Sequence, residues 1–208
     1  MGTAADIVTP EESVIAAVWR RFFDCVFALS LLGVLAPLVL TVALLIMLDS
    51  RGPAVFRQQR RGRGGKLFSI YKFRTMYCLE DGPEVTLAQR CDPRVTRVGQ
   101  ILRRTSLDEL PQLVNVIRGE MALVGPRPHA VAHDQFYAAQ IPQYEDRYRV
   151  RPGMTGWAQI NGLRGQTPEL SQMARRVEHD LWYVENRTFT LDLAIICKTP
   201  LALLGEAF

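Results

Sequence analysis

Residues 25–48, CVFALSLLGVLAPLVLTVALLIML, hold no charged side chain, and charge returns on either side. At about 1.5 Å of rise per residue, a helix of this length reaches roughly 36 Å, enough to cross the hydrocarbon core of a bilayer. The run is too long for a signal peptide and lacks a small-residue cleavage site. Pro37 falls near its middle, where it removes a helix hydrogen bond and favours a bend. Arg20 and Arg21 precede the run, and Arg51, Arg57, Arg60, Arg61 and Arg63 follow it. Positive charge prefers the cytoplasmic side, so basic flanks at both ends favour a helix–break–helix hairpin dipping into one leaflet over a proline-kinked span. The carbonyls freed at such a break must find partners.

Past this run the period changes. AVFRQQRRGRGGKLFSIYKFRTM, residues 54–76, alternates apolar and polar positions around Gly62, Gly64 and Gly65, which predicts a β-hairpin turning there. Lys66 beside these glycines lacks the GxxxxGK[ST] spacing of a phosphate cradle, so they read as a tight turn. Residues 78–92 are polar and turn-rich and read as a mobile loop. In DPRVTRVGQILRR, Val95, Val98, Ile101 and Leu102 recur at the spacing of one helix face. Gly125, Pro126 and Pro128 stiffen a loop around Arg127, and a helix is expected over 130–146. RPGMTGWAQINGLRG reads as irregular, and the tail from Pro168 as helical. Its last piece, TFTLDLAIICKTPLALLGEAF, is interrupted by Asp192 and Lys198 and suits an amphipathic helix on a membrane surface.

Composition changes this picture little. The 208 residues are 48% hydrophobic and 22% charged, too apolar for disorder and of a length for one domain or a domain with an appendage. A net charge of +4 is compatible with nucleic acid, anionic lipid or phosphorylated substrates. Nucleic acid is set aside, because no basic stripe with interleaved aromatics and no reading motif is present. Cys25, Cys78, Cys91 and Cys197 lie far apart and read as reduced thiols. His129 and His133 stand at i and i+4 but lack a HExxH glutamate and a third ligand, a poor basis for a zinc site.

The chemistry concentrates in RRTSLDELPQLVNVIRGEM, residues 103–121. Ser106 and Glu109 have capping-box spacing, so Asp108 and Glu109 could simply open a helix. Pro111 would then sit in its second turn; a chain break near Pro111 would instead leave the pair at a junction open to substrate. Lys72, Arg74, Arg103, Arg104, Arg127 and Arg151 recur beside the pair or in rigid loops. Arg127, on stiff backbone between two prolines, is the hardest to dismiss as surface charge, and its planar fork matches phosphate oxygens. Carboxylates and arginines at a membrane suggest phosphoryl chemistry, with an aspartate as nucleophile and a magnesium ion offsetting diphosphate charge.

Five segments in order, RRFFD, FRQQRRGRGGKLFSIYKFRTM, DPRVTRVGQILRRTSLDELPQLVNVIRGEMALVGPRPH, RPGMTGWAQINGLRG and DLWYVENRTFTLDL, resemble the bacterial sugar transferases. These are monotopic polyprenyl-phosphate phosphoglycosyltransferases that start glycan assembly on the inner membrane. The resemblance implies an α+β, mostly helical fold. A segment 1–19 would lead into a re-entrant membrane hairpin, 20–50, forming one functional unit with a catalytic part, 51–208. The latter would hold a small β-hairpin, catalytic helices and amphipathic interfacial helices on the cytoplasmic face. The implied reaction moves a sugar 1-phosphate from a UDP-sugar to polyprenyl (undecaprenyl) phosphate and releases UMP, the first membrane step of exopolysaccharide, capsule or O-antigen synthesis.

By the same resemblance, Asp108 matches the nucleophile that forms a covalent phosphosugar intermediate and helps bind Mg²⁺. Glu109 completes the dyad, as proton acceptor or as positioning group. Lys72, Arg103, Arg127 and Arg151 match phosphate-binding positions, and Pro126, Arg127 and Pro128 the loop that helps hold the nucleotide. Pro37 matches the membrane break, where Ala36 stands in place of a serine found in some members. GWAQINGLRG leans toward hexose phosphates such as glucose or galactose over acetamido sugars. A homodimer is left open, as is the choice between a minimal member and a catalytic fragment. Two other classes compete. A catalytically silent membrane scaffold of a polysaccharide export complex would have no reason to hold the dyad with its arginines. A basic membrane-surface or nucleic-acid binder would weaken steeply with salt and ignore Asp108→Asn.

Overall fold

The computed structural model describes residues 14–77, 92–165 and 169–204. Helix α1, Val14–Asp49, carries the apolar run and is long and apolar enough to cross a membrane. Its helical backbone continues through Pro37, so the break expected there takes no residue out of the helix. Thr41 Oγ1 donates to the Pro37 carbonyl at 2.9 Å in the following turn. Burial is confined to the two ends: Arg20, Asp24 and Ala28 near the start, Val42 and Ile46 near the finish. Between and around them Leu29, Val34, Leu38, Leu40 and Leu44 stay exposed. An apolar surface this continuous is a contact surface, and its length and composition make α1 a membrane-associating helix.

The hairpin expected from the alternation is present. Strand β1, Val55–Arg61, pairs antiparallel with β2, Leu67–Phe73, with Val55 opposite Phe73 and Arg61 opposite Leu67. It turns through Arg63–Gly65, where Gly64 and Gly65 take φ of 65° and 72°, left-handed backbone that glycine adopts without strain. Helix α2, Arg97–Thr105, is capped by Thr96, whose hydroxyl accepts the Gly99 N–H at 2.9 Å. Its inward face differs from the expected one. Leu102 is buried and Val98 half-buried, but Ile101 is exposed and Gly99 faces inward instead. A Cβ at Gly99 would stand 2.2 Å from the Thr75 carbonyl oxygen, so helix and strand exit pack backbone to backbone.

A 3-10 turn, Leu107–Glu109, joins α2 to α3, Gln112–Arg118, which leads into β3, Ala122–Val124. Strand β3 pairs in parallel with β4, Gly153–Thr155, inside the segment expected to be irregular. Close approach of the two chains requires glycine: a Cβ at Gly125 would lie 2.4 Å from the Arg151 carbonyl oxygen, and one at Gly153 2.1 Å from the Gly125 nitrogen. The helix expected over 130–146 is shorter. It comprises α4, Val131–Ala138; Pro142 disfavours helical backbone before it, Gln143 turns at φ 59°, and a 3-10 stretch, Tyr144–Arg149, follows. Helices α5, Trp157–Ile160, α6, Leu170–Asn186, and α7, Phe189–Leu204, complete the order. The loop expected at 78–92 lies outside the described residues except for Asp92.

Two apolar cores seat α1 on the rest. Ala28 joins Phe68, Ile70, Leu113, Val116 and Leu123, whereas Val42 and Ile46 join Phe73 and Leu102; Leu110 packs against both groups. Arg21 donates to the carbonyls of Val116 and Ile117 at 2.5 and 2.6 Å, adding to the Gly119 N–H that already meets Val116 at the end of α3. Arg74 does the same beyond the end of α1, reaching Ser50 and Arg51 at 2.7 and 2.6 Å. Helix α7 turns Asp192 inward beside the buried Ile195, while Lys198 stays exposed. Asp192 is buried against Arg20 Nε at 2.9 Å and the Tyr183 hydroxyl at 2.5 Å, while Phe189, Leu193, Cys197 and Leu201 face outward.

Candidate active site

Asp108 and Glu109 lie in the 3-10 turn between α2 and α3, not in the first turn of a helix. Ser106 takes φ 58° and its side chain makes no cap bond, so the capping box does not form. Pro111 instead stands at the N-cap of α3, which leaves the pair at a junction. The chain is interrupted at Ser106 and not near Pro111, where Leu110 and Pro111 keep right-handed helical backbone into α3.

The two carboxylates have unlike surroundings. Glu109 accepts from Lys72 Nζ at 2.9 Å and from Arg127 Nη2 and Nη1 at 2.5 and 3.2 Å, with its side chain 13% exposed. Burial works to raise its pKa, but Arg127 and Lys72, by charge and by the hydrogen bonds they donate, hold it well below the usual carboxylate range. No hydrogen bond from a described residue reaches the Asp108 carboxylate. Burial pushes its pKa up, the Glu109 charge adds to the rise, and Lys72, Arg127 and Arg103 oppose it. Burial lowers the pKa of Lys72, with Glu109 supporting its charge, and Glu109 raises that of Arg127. Glu109 accepts three hydrogen bonds, and Asp108 none from the described residues.

Arg103 donates from Nε to Thr75 Oγ1 at 2.9 Å and lies in the field of Asp108. Arg127 enters from the loop after β3, flanked by Pro126 and Pro128. Lys72 and Arg127 thus meet at Glu109, and Arg103 lies near Asp108. Arg151 stands elsewhere, with Arg21, Arg63, Asp24 and Arg187 as its charged neighbours. Arg164 was not among the expected site residues, yet it donates to Ser106 Oγ and feels both Glu109 and Asp108. A single arginine in a Gly-rich stretch carries no local signal of this placement. His129 is buried against the Tyr144 hydroxyl at 2.6 Å, held well below its usual pKa by burial and by the arginines around it. Among the described residues no three His, Cys, Asp or Glu side chains gather as a metal site. What this arrangement offers is an open carboxylate beside cations set for an anionic substrate.

Comparison with known proteins places this turn in a wider pattern. The family model described as bacterial sugar transferase matches residues 15–206. The UDP-glucose:undecaprenyl-phosphate glucose-1-phosphate transferase of Caulobacter vibrioides is 55% identical, over 89% of this chain and 69% of that protein. The Escherichia coli protein of the same name is 49% identical over 86% of this chain, which spans only 39% of the relative's length. Exopolysaccharide production protein PSS of Rhizobium leguminosarum is 48% identical over 92% of this chain and 98% of its own. A pattern that runs from the first turn of α1 past the end of α7, with the dyad turn inside it, places the chain in the bacterial sugar transferase family.

Proposed function

We propose that this chain transfers a sugar 1-phosphate from a UDP-sugar to undecaprenyl phosphate and releases UMP, as the first membrane step of surface-glycan assembly. The Caulobacter and Escherichia relatives are glucose-1-phosphate transferases by name, which puts UDP-glucose first among the donors and agrees with the lean of GWAQINGLRG. The observation that carries the reading is the asymmetry of the dyad: Asp108 accepts no hydrogen bond from a described residue, and Glu109 is occupied by two cations.

In the first step an Asp108 carboxylate oxygen attacks the phosphorus that bears the sugar. An Asp–O–P bond forms, the bond to the UMP oxygen breaks, and UMP leaves with the electron pair. Lys72, Arg103, Arg127 and Arg164 supply fixed positive charge where negative charge builds. In the second step a phosphate oxygen of the polyprenyl acceptor attacks the same phosphorus, and Asp108 departs as a carboxylate. A phosphate monoester loses its second proton at a pKa of about 6, so the acceptor is an oxyanion near neutral pH and needs no base. Glu109 accordingly serves as a fixed anion that holds Lys72 and Arg127 in place. The Pro126–Arg127–Pro128 loop, which carries Arg127 to the dyad, is the segment assigned to the nucleotide. The donor set fits a Mg²⁺ ion arriving with the diphosphate: Asp108 offers one carboxylate, and such ions complete their shell with phosphate oxygens and water. Bound there, Mg²⁺ would offset the diphosphate charge.

The seating in the membrane follows from α1. Both of its ends dock on one catalytic body, Arg21 at one end and Arg74 with Ser50 and Arg51 at the other, and both flanks are basic. These features support a re-entrant, monotopic hairpin over 20–50, entering and leaving at the cytoplasmic face of the inner membrane, with the apolar outer face of α7 at the surface. The test is UMP release in nanodiscs with undecaprenyl phosphate, Mg²⁺ and a panel of UDP-sugars, wild type against Asp108→Asn. Release with UDP-glucose that is lost in the variant is the expected result. Release that survives in the variant removes Asp108 as nucleophile, and silence from folded wild type across the panel removes the reaction.

A further inference from the structure

Three successive carbonyls of the loop around Arg127 are each met by a donor from a different element. The Gly153 N–H of β4 reaches Pro126 at 3.0 Å, the Arg147 guanidinium reaches Arg127 at 2.7 Å, and the Arg60 guanidinium of β1 reaches Pro128 at 3.3 Å. The prolines restrict φ, and these bonds fix the orientation of the peptides between them. Arg147 is only 3% exposed. Its Nε donates to Asp180 Oδ2 of α6 at 2.9 Å, its guanidinium lies 4.9 Å from the centre of the Tyr144 ring, and its Nη1 is 3.3 Å from His129 Nδ1.

A buried ion pair is weak evidence of stabilisation, because removing two charges from water can cost more than their attraction returns. Its geometry here is evidence of placement. With Nε taken by Asp180, itself 2% exposed, the Nη2 donor is left facing the loop and lands on the carbonyl of Arg127. A chain of direct contacts then runs from α6 through Asp180, Arg147, the Arg127 backbone and its guanidinium to Glu109 and Lys72. We infer that Arg147, seated by Asp180, is a positioning residue that sets the Arg127 guanidinium at the dyad turn. Its own charge is offset by Asp180, so it acts through Arg127 and not on substrate. The inference rests on the phosphoryl-transfer reading above for what Arg127 does once placed.

The test is a double-mutant cycle read by UDP binding and by UMP release. Arg147→Met with Asp180→Leu removes the pair as a unit, although the buried Arg176 also loses the Asp180 charge beside it, and Arg127→Ala removes the group through which the pair acts. In the otherwise wild-type chain the paired change is expected to lower kcat/KM for the donor on the order of 10²-fold and to weaken UDP binding, with a fall in Tm from the Arg127 carbonyl and the Arg176 charge left without their partners. In the Arg127→Ala background the same change is expected to cost less than about 2-fold more. Arg147→Lys keeps the charge but cannot reach Asp180 and the loop together, and should behave like the paired variant. Full additivity with Arg127→Ala, or normal activity in the paired variant, overturns the inference. Should the paired variant not fold, Asp180→Asn, which leaves an acceptor for Nε, is run through the same cycle with a smaller first step. Calorimetric UDP binding decides the matter even if wild type releases no UMP, a result that would count against the transfer reading alone.

Discussion

Glu109→Gln separates a positioning anion from a proton acceptor. The change keeps the outline of the side chain and removes its charge, at a group held by Lys72 at 2.9 Å and by Arg127 at 2.5 and 3.2 Å. The three side chains are 13–23% exposed, so the cluster is mostly desolvated. Removing one partner of a buried pair costs about 3–5 kcal/mol. The glutamine oxygen still accepts one hydrogen bond worth about 1 kcal/mol, and water reaches the open side, so a loss of roughly 2–3 kcal/mol is expected. For a chain of this size that lowers Tm by roughly 5–10 °C. Catalysis should fall on the order of 10²-fold in both half-reactions, because Lys72 and Arg127 serve UMP departure and acceptor arrival alike. Donor binding should not weaken, since both cations lose their resident anion. Rapid-quench measurement of the UMP burst without acceptor reports the first step, and a chase with undecaprenyl phosphate reports the second. A normal burst with selective loss of the second step would refute this reasoning and make Glu109 the proton acceptor.

Asp108→Asn should abolish the UMP burst and leave Tm unchanged or slightly raised, since burial already disfavours the ionised form that the substitution removes; a marked fall in Tm by scanning fluorimetry would show that the carboxylate has partners. The acid limb of the burst should lie above the ordinary carboxylate range, because only ionised Asp108 attacks and its pKa is raised, so activity grows as pH climbs through that value. The limb should move to lower pH in Glu109→Gln, where the like charge is gone; a limb that stays put in a pH–rate series would detach it from Asp108. Gly153→Ala would set a Cβ 2.1 Å from the Gly125 nitrogen and force β3 and β4 apart, with an expected loss of about 1–3 kcal/mol in thermal melts and a fall in UMP release. Single cysteines at Trp19 and Arg51, in a chain freed of its native cysteines, should both react with an impermeant maleimide from the cytoplasmic side of inside-out vesicles; labelling from opposite sides would make α1 a spanning helix.

How far the fold was legible depends on the range over which each signal acts. The apolar run became α1, and the glycines between two alternating stretches became the β1–β2 turn, because helix period and left-handed backbone are properties of adjacent residues. The apolar face assigned to α2 placed Ile101 inward, whereas the helix turns Gly99 to the strand, since a missing side chain allows an approach that no apolar count reveals. Strands β3 and β4 have three residues each, too few to show alternation, and their parallel pairing joins segments far apart in the chain. Helix α7 was read as interrupted by Asp192, but the aspartate is the residue that faces the protein, because Arg20 and Tyr183 meet it there.

The sequence by itself determined that a long apolar segment precedes a small mixed domain, that Asp108 and Glu109 stand together in a family motif, and that Arg127 sits on stiff backbone. All of these depend on residue type and on spacing within a few positions. Only the tertiary structure decided which carboxylate is open. Glu109 is claimed by Lys72 from 37 positions earlier and by Arg127 from 18 positions later, while its neighbour in the same turn receives no hydrogen bond from any described residue. An ion pair depends on distance in space, and distance in space between such positions exists only once the chain has closed on itself.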